Sequence, residues 1–220
     1  IGGKKVAVLS MEMSKKQLMV RMLASEARVS AKRLRGGGLS DADWPLLEDA
    51  AKTIYGVNVW IDDSPALTSV EVRGKLRRLD AKHGLDLIVL DYIQLMRGKA
   101  ENRQQEISRI SADLKTLAKD LDLPVLALSQ LNRASEMRAD KRPMLSDLRE
   151  SGSIEQDADV AILLHRPAYY SSDAPERLSE AIVAKQRNGP TGLALLSFDR
   201  RYTRFDDPNL VEKEEWRDEY

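Results

Sequence analysis

The sequence predicts an α/β fold, a mainly parallel central sheet flanked by helices with a C-terminal antiparallel extension. Short apolar runs alternate with helix-period segments as far as residue 128, the pattern of parallel strands joined by helical crossovers. From residue 160 onward, strand-like runs follow one another with only turns between them. Within the first region lies the run Leu87 to Leu90, continuously apolar and too short for a buried helix. It suits a central strand covered on both faces.

The elements follow in order. Residues 5–10 form a strand, and Met11-Glu12-Met13 lead into a helix. Ser14 and Gln17 have capping-box spacing there, and Leu18, Met19, Met22 and Leu23 supply the apolar face. Gly36-Gly37-Gly38, after Arg33 and Arg35, break the chain. A helix over 41–55 is capped by Ser40 and stopped by Gly56, and 57–61 is a strand ending in Asp62-Asp63. Thr68 and Glu71 form a second capping-box pair, opening a basic helix that runs to His83 and stops at Gly84.

The central strand 85–90 comes next, then a polar loop over 97–103. Ile107, Ile110, Leu114, Leu117 and Leu121 repeat at helical spacing, and 123–128 is a strand with Pro124 near its start. Residues 131–148 have few large apolar side chains and several basic ones, and are expected to be a mobile, solvated loop. Strands at 160–164, 180–185, 192–198 and 202–205 complete the pattern, with a tight turn at Asn188-Gly189-Pro190. The expected organisation is one domain over 1–207 and a charged, flexible tail over 208–220.

Composition removes several function classes. Lys plus Arg and Asp plus Glu balance at 35 each, so any nucleic-acid site must come from local clustering. Cysteine is absent, which excludes disulfides, thiolate zinc sites and cysteine nucleophiles, and His83 and His165 are too few for a histidine-rich metal site. No apolar run approaches the ~18 residues of a membrane span, and no signal-peptide pattern opens the chain, so the expected location is cytoplasmic with no membrane partner. Ile1 is not an initiator methionine, and a strand begins almost at once, so the sequence is expected to be part of a longer chain.

In open parallel sheets, ligands bind beyond the carboxyl ends of the strands. Asp91 stands at such an end, where it either caps a turn or holds Mg²⁺ and, through it, nucleotide phosphates. Gln130 follows another strand and Glu12 a third. Polar groups on neighbouring strand ends would make one site.

The chain resembles the C-terminal motor domain of the DnaB-type replicative DNA helicases, which is RecA-like. The resemblance rests on Ser10-Met11-Glu12-Met13, Leu90-Asp91-Tyr92-Ile93-Gln94-Leu95 and Ala127-Leu128-Ser129-Gln130-Leu131-Asn132-Arg133. It rests further on Lys141-Arg142-Pro143, on the continuous run 146–159 and on Lys185-Gln186-Arg187-Asn188-Gly189-Pro190. These segments fall in the family's order and cover the chain from about residue 6 to 205. The run 146–159 is close to diagnostic, whereas a strand ending in aspartate occurs in many unrelated ATPases.

The resemblance implies roles. Glu12 would orient and polarise the attacking water, Asp91 would hold Mg²⁺ through water as the Walker B acid, and Gln130 would sense the γ-phosphate of ATP. Without that role, Glu12 is a solvated first-turn glutamate and Gln130 an amide satisfied by backbone. Lys185 and Arg187 share one face of a strand end and would reach the neighbouring subunit's ATP, or else are a basic pair before a hairpin turn. Arg149, Glu150 and Gly152 would grip single-stranded DNA in a central channel, Glu150 through its main-chain N–H. Arg133, Arg138, Lys141 and Arg142 would add phosphate contacts, and Arg21 would lie near the nucleotide. A homo-hexamer, travel from 5′ to 3′, and a primase and a helicase loader as partners are further implications.

One element of the family pattern is missing. No Gly-x-x-x-x-Gly-Lys-Ser/Thr phosphate loop exists, and Gly2-Gly3-Lys4-Lys5 lacks its spacing. The expectation is a motor domain without its first strand, phosphate loop and following helix, one that by itself binds and hydrolyses ATP poorly. Two alternatives stand beside the helicase reading: a non-catalytic relative binding single-stranded DNA or a partner, and a RecA-like recombination ATPase.

Overall fold

A computed structural model describes residues 3–132, 136–209, 212–213 and 216, with 149–152 described by their backbone alone. In chain order the elements are β1 (Lys5–Ser10), α1 (Lys15–Ala27), α2 (Ala31–Gly36), α3 (Asp43–Tyr55), β2 (Asn58–Asp62), α4 (Ser69–His83), β3 (Leu87–Asp91) and α5 (Arg103–Leu121). Then come β4 (Val125–Ala127), α6 (Gly152–Asp157), β5 (Val160–His165), β6 (Leu178–Gln186), β7 (Gly192–Asp199) and β8 (Arg204–Asp206). Short 3₁₀ segments occupy Ile93–Leu95, Leu145–Ser151 and Pro167–Tyr169. The chain divides into two compact units, one of Ile1–Met19, Ala51–Asn132 and Leu148–Ala158, the other of Val20–Ala50, Arg133–Asp147 and Asp159–Tyr220.

The first unit holds a parallel sheet in the order β2-β1-β3-β4. Its core gathers Ala7 and Leu9 of β1, Ile88 and Leu90 of β3, Val72 and Leu76 of α4, and Ile107, Ile110, Leu114 and Leu117 of α5. Burying each large aliphatic side chain contributes about 1.5–3 kcal/mol, so this face anchors the unit. The strand β3 is covered less completely than its apolar run suggests. Ile88 and Leu90 are wholly buried, while Leu87, Val89 and Asp91 are half-buried, because α4 and α5 pack on the face that Ile88 and Leu90 share.

Local rules account for the helix starts. Ser14 Oγ accepts from the Gln17 N–H at 3.3 Å and Gln17 Oε1 accepts from the Ser14 N–H at 2.9 Å. At α4, Thr68 Oγ1 accepts from the Glu71 N–H and Glu71 returns the bond to the Thr68 N–H, with Gly84 at φ 69° ending the helix. Asn102 caps α5 by accepting from the Gln105 N–H. The helix α3 begins at Asp43 rather than residue 41, because the Ser40 N–H and hydroxyl both donate to the Asp43 carboxylate. On α1 the expected apolar face is only partly used. Ala24 and Ala27 are buried there, and Met19 is exposed.

The second unit holds an antiparallel sheet in the order β5-β6-β7-β8. A bulge lies where Ala161 pairs with Lys185 and Ile162 with Val183, leaving Ala184 over. A smaller core of Ala27, Val29, Leu47 and Ala50 packs with Leu23, Leu34 and Leu39. Trp216 is buried, and Glu212 accepts from the Ser197 hydroxyl at 3.3 Å and pairs with Arg177 at 3.4 Å. Among the described residues no helix is long and apolar enough to cross a membrane.

Candidate nucleotide site

The strand register brings the expected carboxylates to one edge. Ser10, the last residue of β1, pairs with Asp91, the last of β3, and the Met11 N–H donates to the Asp91 carbonyl at 2.9 Å. Glu12 therefore stands one residue beyond the tie, exposed, at the turn into α1. Ser10 Oγ accepts from the Met13 N–H at 3.2 Å and tightens that turn. Asp63, following β2, accepts from the Lys15 N–H at 3.0 Å at the first residue of α1. The Asp91–Tyr92 peptide is cis.

On the other side of β3, Leu90 pairs with Ala127, the last residue of β4. The Leu128 N–H donates to the Leu90 carbonyl at 2.9 Å, and the Ile93 N–H donates to the Leu128 carbonyl at 3.0 Å. Gln130 is exposed two residues further on. Its backbone is held by Gln94, whose amide donates to the Gln130 carbonyl at 3.0 Å and to Ser129 Oγ at 2.9 Å, while Gln94 Oε1 accepts from the Gln130 N–H at 3.2 Å. Asp91 thus ends β3, and Glu12 and Gln130 follow β1 and β4, its two neighbours, at the same carboxyl edge. The positioning by Gln94 was not read from the sequence. Its place three residues after Asp91, in a motif already singled out, is the only local signal.

Lys4 and Lys5 are committed to structure. Lys4 Nζ lies 2.9 Å from Asp86 Oδ1, the Lys5 N–H donates to Asp86 Oδ2 at 2.8 Å, and Lys5 Nζ donates to the His83 carbonyl at 2.6 Å. The Lys5 N–H, followed by Lys4, holds the Asp86 carboxyl below its ordinary range. These lysines tie the start of β1 to the strand beside it.

In the second unit, Lys185 lies in β6 opposite Ala161, and Arg187 lies just past its end. The Arg187 N–H donates to the Asp159 carbonyl at 2.9 Å, and its Nε is 3.6 Å from Asp159 Oδ1. Both partners of that pair are exposed. In the turn that follows, a Cβ at Gly189 would collide with the Gln186 side-chain amide. Arg21 is exposed on α1.

The basic segment departs from the expected solvated loop. Arg138 Nη1 donates to Asp147 Oδ1 at 2.9 Å, Arg138 Nη2 donates to Asp147 Oδ2, and Asp147 is buried. The same carboxylate accepts from the Met144 N–H at 2.8 Å and opens the 3₁₀ segment. The Arg138 bonds, ahead of those to the Met144 N–H, hold the Asp147 carboxyl below its ordinary range despite burial. Arg142 Nη2 lies 2.8 Å from Glu180 Oε2, and Lys141 Nζ sits over the Tyr170 ring at 5.3 Å. Arg138 and Arg142, expected as phosphate contacts, therefore direct their guanidinium groups to protein carboxylates. Buried carboxylates need such partners, and they outcompete solvent for them. Arg133 lies outside the described residues. Arg149 and Glu150 lie on the 3₁₀ segment Leu145–Ser151 and Gly152 opens α6, with their side chains outside the description.

The model of the DnaB-like helicase C-terminal domain matches residues 2–207. The chain belongs to that family. It is 49% identical over 204 residues to the replicative DNA helicase DnaB of Geobacillus stearothermophilus, covering 91% of this chain and 45% of that protein. It is 47% identical to the replicative DNA helicase DnaC of Bacillus subtilis (strain 168), again over 91% of this chain and 45% of that protein. The chain thus spans about half the length of the curated relatives it matches. Among solved structures, a DnaB-like replicative helicase described with its interactions with primase superimposes with a TM-score of 0.90 at 38% identity, over 94% of this chain and 51% of that one. A solved ATPase domain matches with the same score and identity, over 94% of this chain and 75% of that one. This DnaB-type domain therefore has the RecA-like architecture expected of it, a parallel sheet with helices and a separate antiparallel sheet.

Proposed function

We propose that residues 1–207 are the motor of a replicative DNA helicase, coupling ATP hydrolysis at interfaces between subunits to movement along single-stranded DNA and duplex unwinding. The observation that carries this reading is the register at the sheet edge, where Ser10 pairs with Asp91 and Leu90 with Ala127, lining up Glu12, Asp91 and Gln130.

In this reading Glu12 orients and polarises the water that attacks the γ-phosphate, and its exposed place at a strand-to-helix turn supports that task. Gln130 senses the γ-phosphate from the next strand end. Among the described residues no three carboxylate or histidine groups gather as a metal cage. Asp91 would hold Mg²⁺ through water, since this ion keeps several of its waters and needs only one or two carboxylates beside the substrate phosphates. When bound, Mg²⁺ neutralises charge on the phosphate oxygens. Lys185 and Arg187 act on the neighbouring subunit's ATP, which requires a ring, and a homo-hexamer is the ring proposed. Arg149, the main-chain N–H of Glu150, and Gly152 grip DNA phosphates, with Arg133 beside them. Arg21 contributes near the nucleotide. Travel from 5′ to 3′, a primase and a helicase loader as partners, and a cytoplasmic location complete the proposal. The 220 residues alone, without a phosphate loop, are expected to turn over little ATP.

Strand displacement on fork DNA by the full-length protein carrying this domain tests the reading. ATP-dependent unwinding that Asp91→Asn abolishes is the expected result. Single-strand binding with no ATP-dependent unwinding would instead make the domain a non-catalytic binding module.

A further inference from the structure

We infer that Gln94 is a positioning residue that sets the backbone of Gln130, joining the Asp91 strand to the γ-phosphate sensor. The inference rests on the sensor role proposed above for Gln130. The strand β4 ends at Ala127, so ladder bonds alone would leave residues 129 and 130 unsupported. Gln94 supplies the missing support. Its Oε1 accepts from the Gln130 N–H at 3.2 Å, and its Nε2 donates to the Gln130 carbonyl at 3.0 Å and to Ser129 Oγ at 2.9 Å. A primary amide carries an acceptor and two donors on one planar group, so it can satisfy both sides of a single residue's backbone at once. A carboxylate has no donor for the carbonyl, and an alanine has neither partner.

The clasp is itself held from behind. The Gln94 carbonyl accepts from Arg103 Nη2, and Arg103 also pairs with Glu106. The other oxygen of Glu106 accepts from the Gly98 N–H at 2.6 Å. The Gly98 N–H, followed by Arg103, keeps Glu106 ionised below the ordinary carboxylate range. On the strand side, the Ile93 N–H donates to the Leu128 carbonyl at 3.0 Å. Gln94 is therefore fixed on both flanks, and Gln130 takes its backbone position from a residue three places after Asp91. A shift of the Asp91 segment reaches Gln130 through three peptide groups and one side chain.

The test uses the full-length protein in four forms: native, Gln94→Ala, Gln130→Ala and the double variant. ATP turnover is measured with saturating single-stranded DNA, beside the thermal unfolding midpoint. Gln94→Ala is expected to lower DNA-stimulated turnover by about 10-fold while the KM for ATP stays within about two-fold, since misplacement of a positioned group acts on the reacting geometry. Added to Gln130→Ala, the same change is expected to lower turnover no further, because the two act as one unit. Gln130→Ala keeps the backbone groups that Gln94 holds, so the comparison is clean. Should the alanine variant fail to fold, Gln94→Glu carries the same comparison, since it preserves shape and removes the donor. Equal losses on both backgrounds would make Gln94 merely structural and overturn the inference. Native turnover in Gln94→Ala, with loss in Gln130→Ala, would overturn it too. Native turnover in Gln130→Ala would overturn the sensor reading, and the inference with it.

Discussion

Arg142 places a guanidinium nitrogen 2.8 Å from Oε2 of Glu180, a carboxylate with no exposed surface. Neither Glu180 oxygen accepts a hydrogen bond of sound geometry, so Arg142 acts on it chiefly as a charge. Burial pushes the Glu180 carboxyl up, and Arg142 pulls it back. A raised folded-state value stabilises fully below the unfolded value of about 4.3 and is lost as pH rises through the folded value. Arg142→Met removes the pull, and should destabilise by about 3 kcal/mol at alkaline pH by leaving a buried charge uncompensated. His165 faces Glu180 across the ladder and is pushed down, first by burial and then by Arg142. It contributes the opposite slope, losing stability as pH falls below about 6.5. The reading is therefore the difference between Arg142→Met and Arg142→Met/Glu180→Gln, which share His165. Unfolding midpoints of the first should fall from pH 5 to pH 8 relative to the second; parallel curves would count against the coupling.

The Arg138–Asp147 pair should behave as an internal brace. Asp147→Ala removes a buried acceptor for Arg138 and for the Met144 N–H, and should lower stability by about 2–3 kcal/mol. Urea unfolding measures it. A change under about 0.5 kcal/mol would return the segment to the solvated class.

Arg187→Ala should reduce turnover by about 10³-fold or more, if Arg187 serves as a finger in trans, while nucleotide binding stays near native. Mixed rings of Arg187→Ala and Glu12→Gln subunits should recover part of the activity, because some interfaces then hold an intact Glu12 and an intact Arg187. Rings that stay inactive at every mixing ratio would contradict action across an interface.

For the DNA grip, Arg149→Ala should weaken single-strand binding and reduce the salt slope by about one unit or somewhat less. Affinity measured across a series of salt concentrations decides this. An unchanged slope would leave Arg149 with a structural role.

Much of the site was legible because it depends on neighbours in sequence. The Ser14/Gln17 and Thr68/Glu71 boxes are bonds across three residues, and the spacing of Ile107, Ile110, Leu114 and Leu117 is the helical period itself. The strand end at Asp91, and the place of Gln130 just beyond β4, followed from apolar runs meeting polar residues. The short helix α2 was not legible, since six residues with three glycines at its end offer no period to read. The basic segment misled for a different reason. Asp147 and Glu180 give no sign in the linear text that they are buried, and only the fold brings Glu180 to Arg142. Gln94 stands three residues after Asp91, yet its contact with Gln130 spans 36 residues.

The edge formed by Glu12, Asp91 and Gln130 is proposed to hydrolyse ATP. The most direct measurement is DNA-stimulated ATP turnover by the full-length protein with Glu12→Gln, alongside nucleotide binding. A polarising carboxylate is worth about 10²–10⁴-fold, so turnover should fall by that factor with binding unchanged. Turnover within about two-fold of native, which corresponds to less than about 0.5 kcal/mol in the barrier, would contradict that claim.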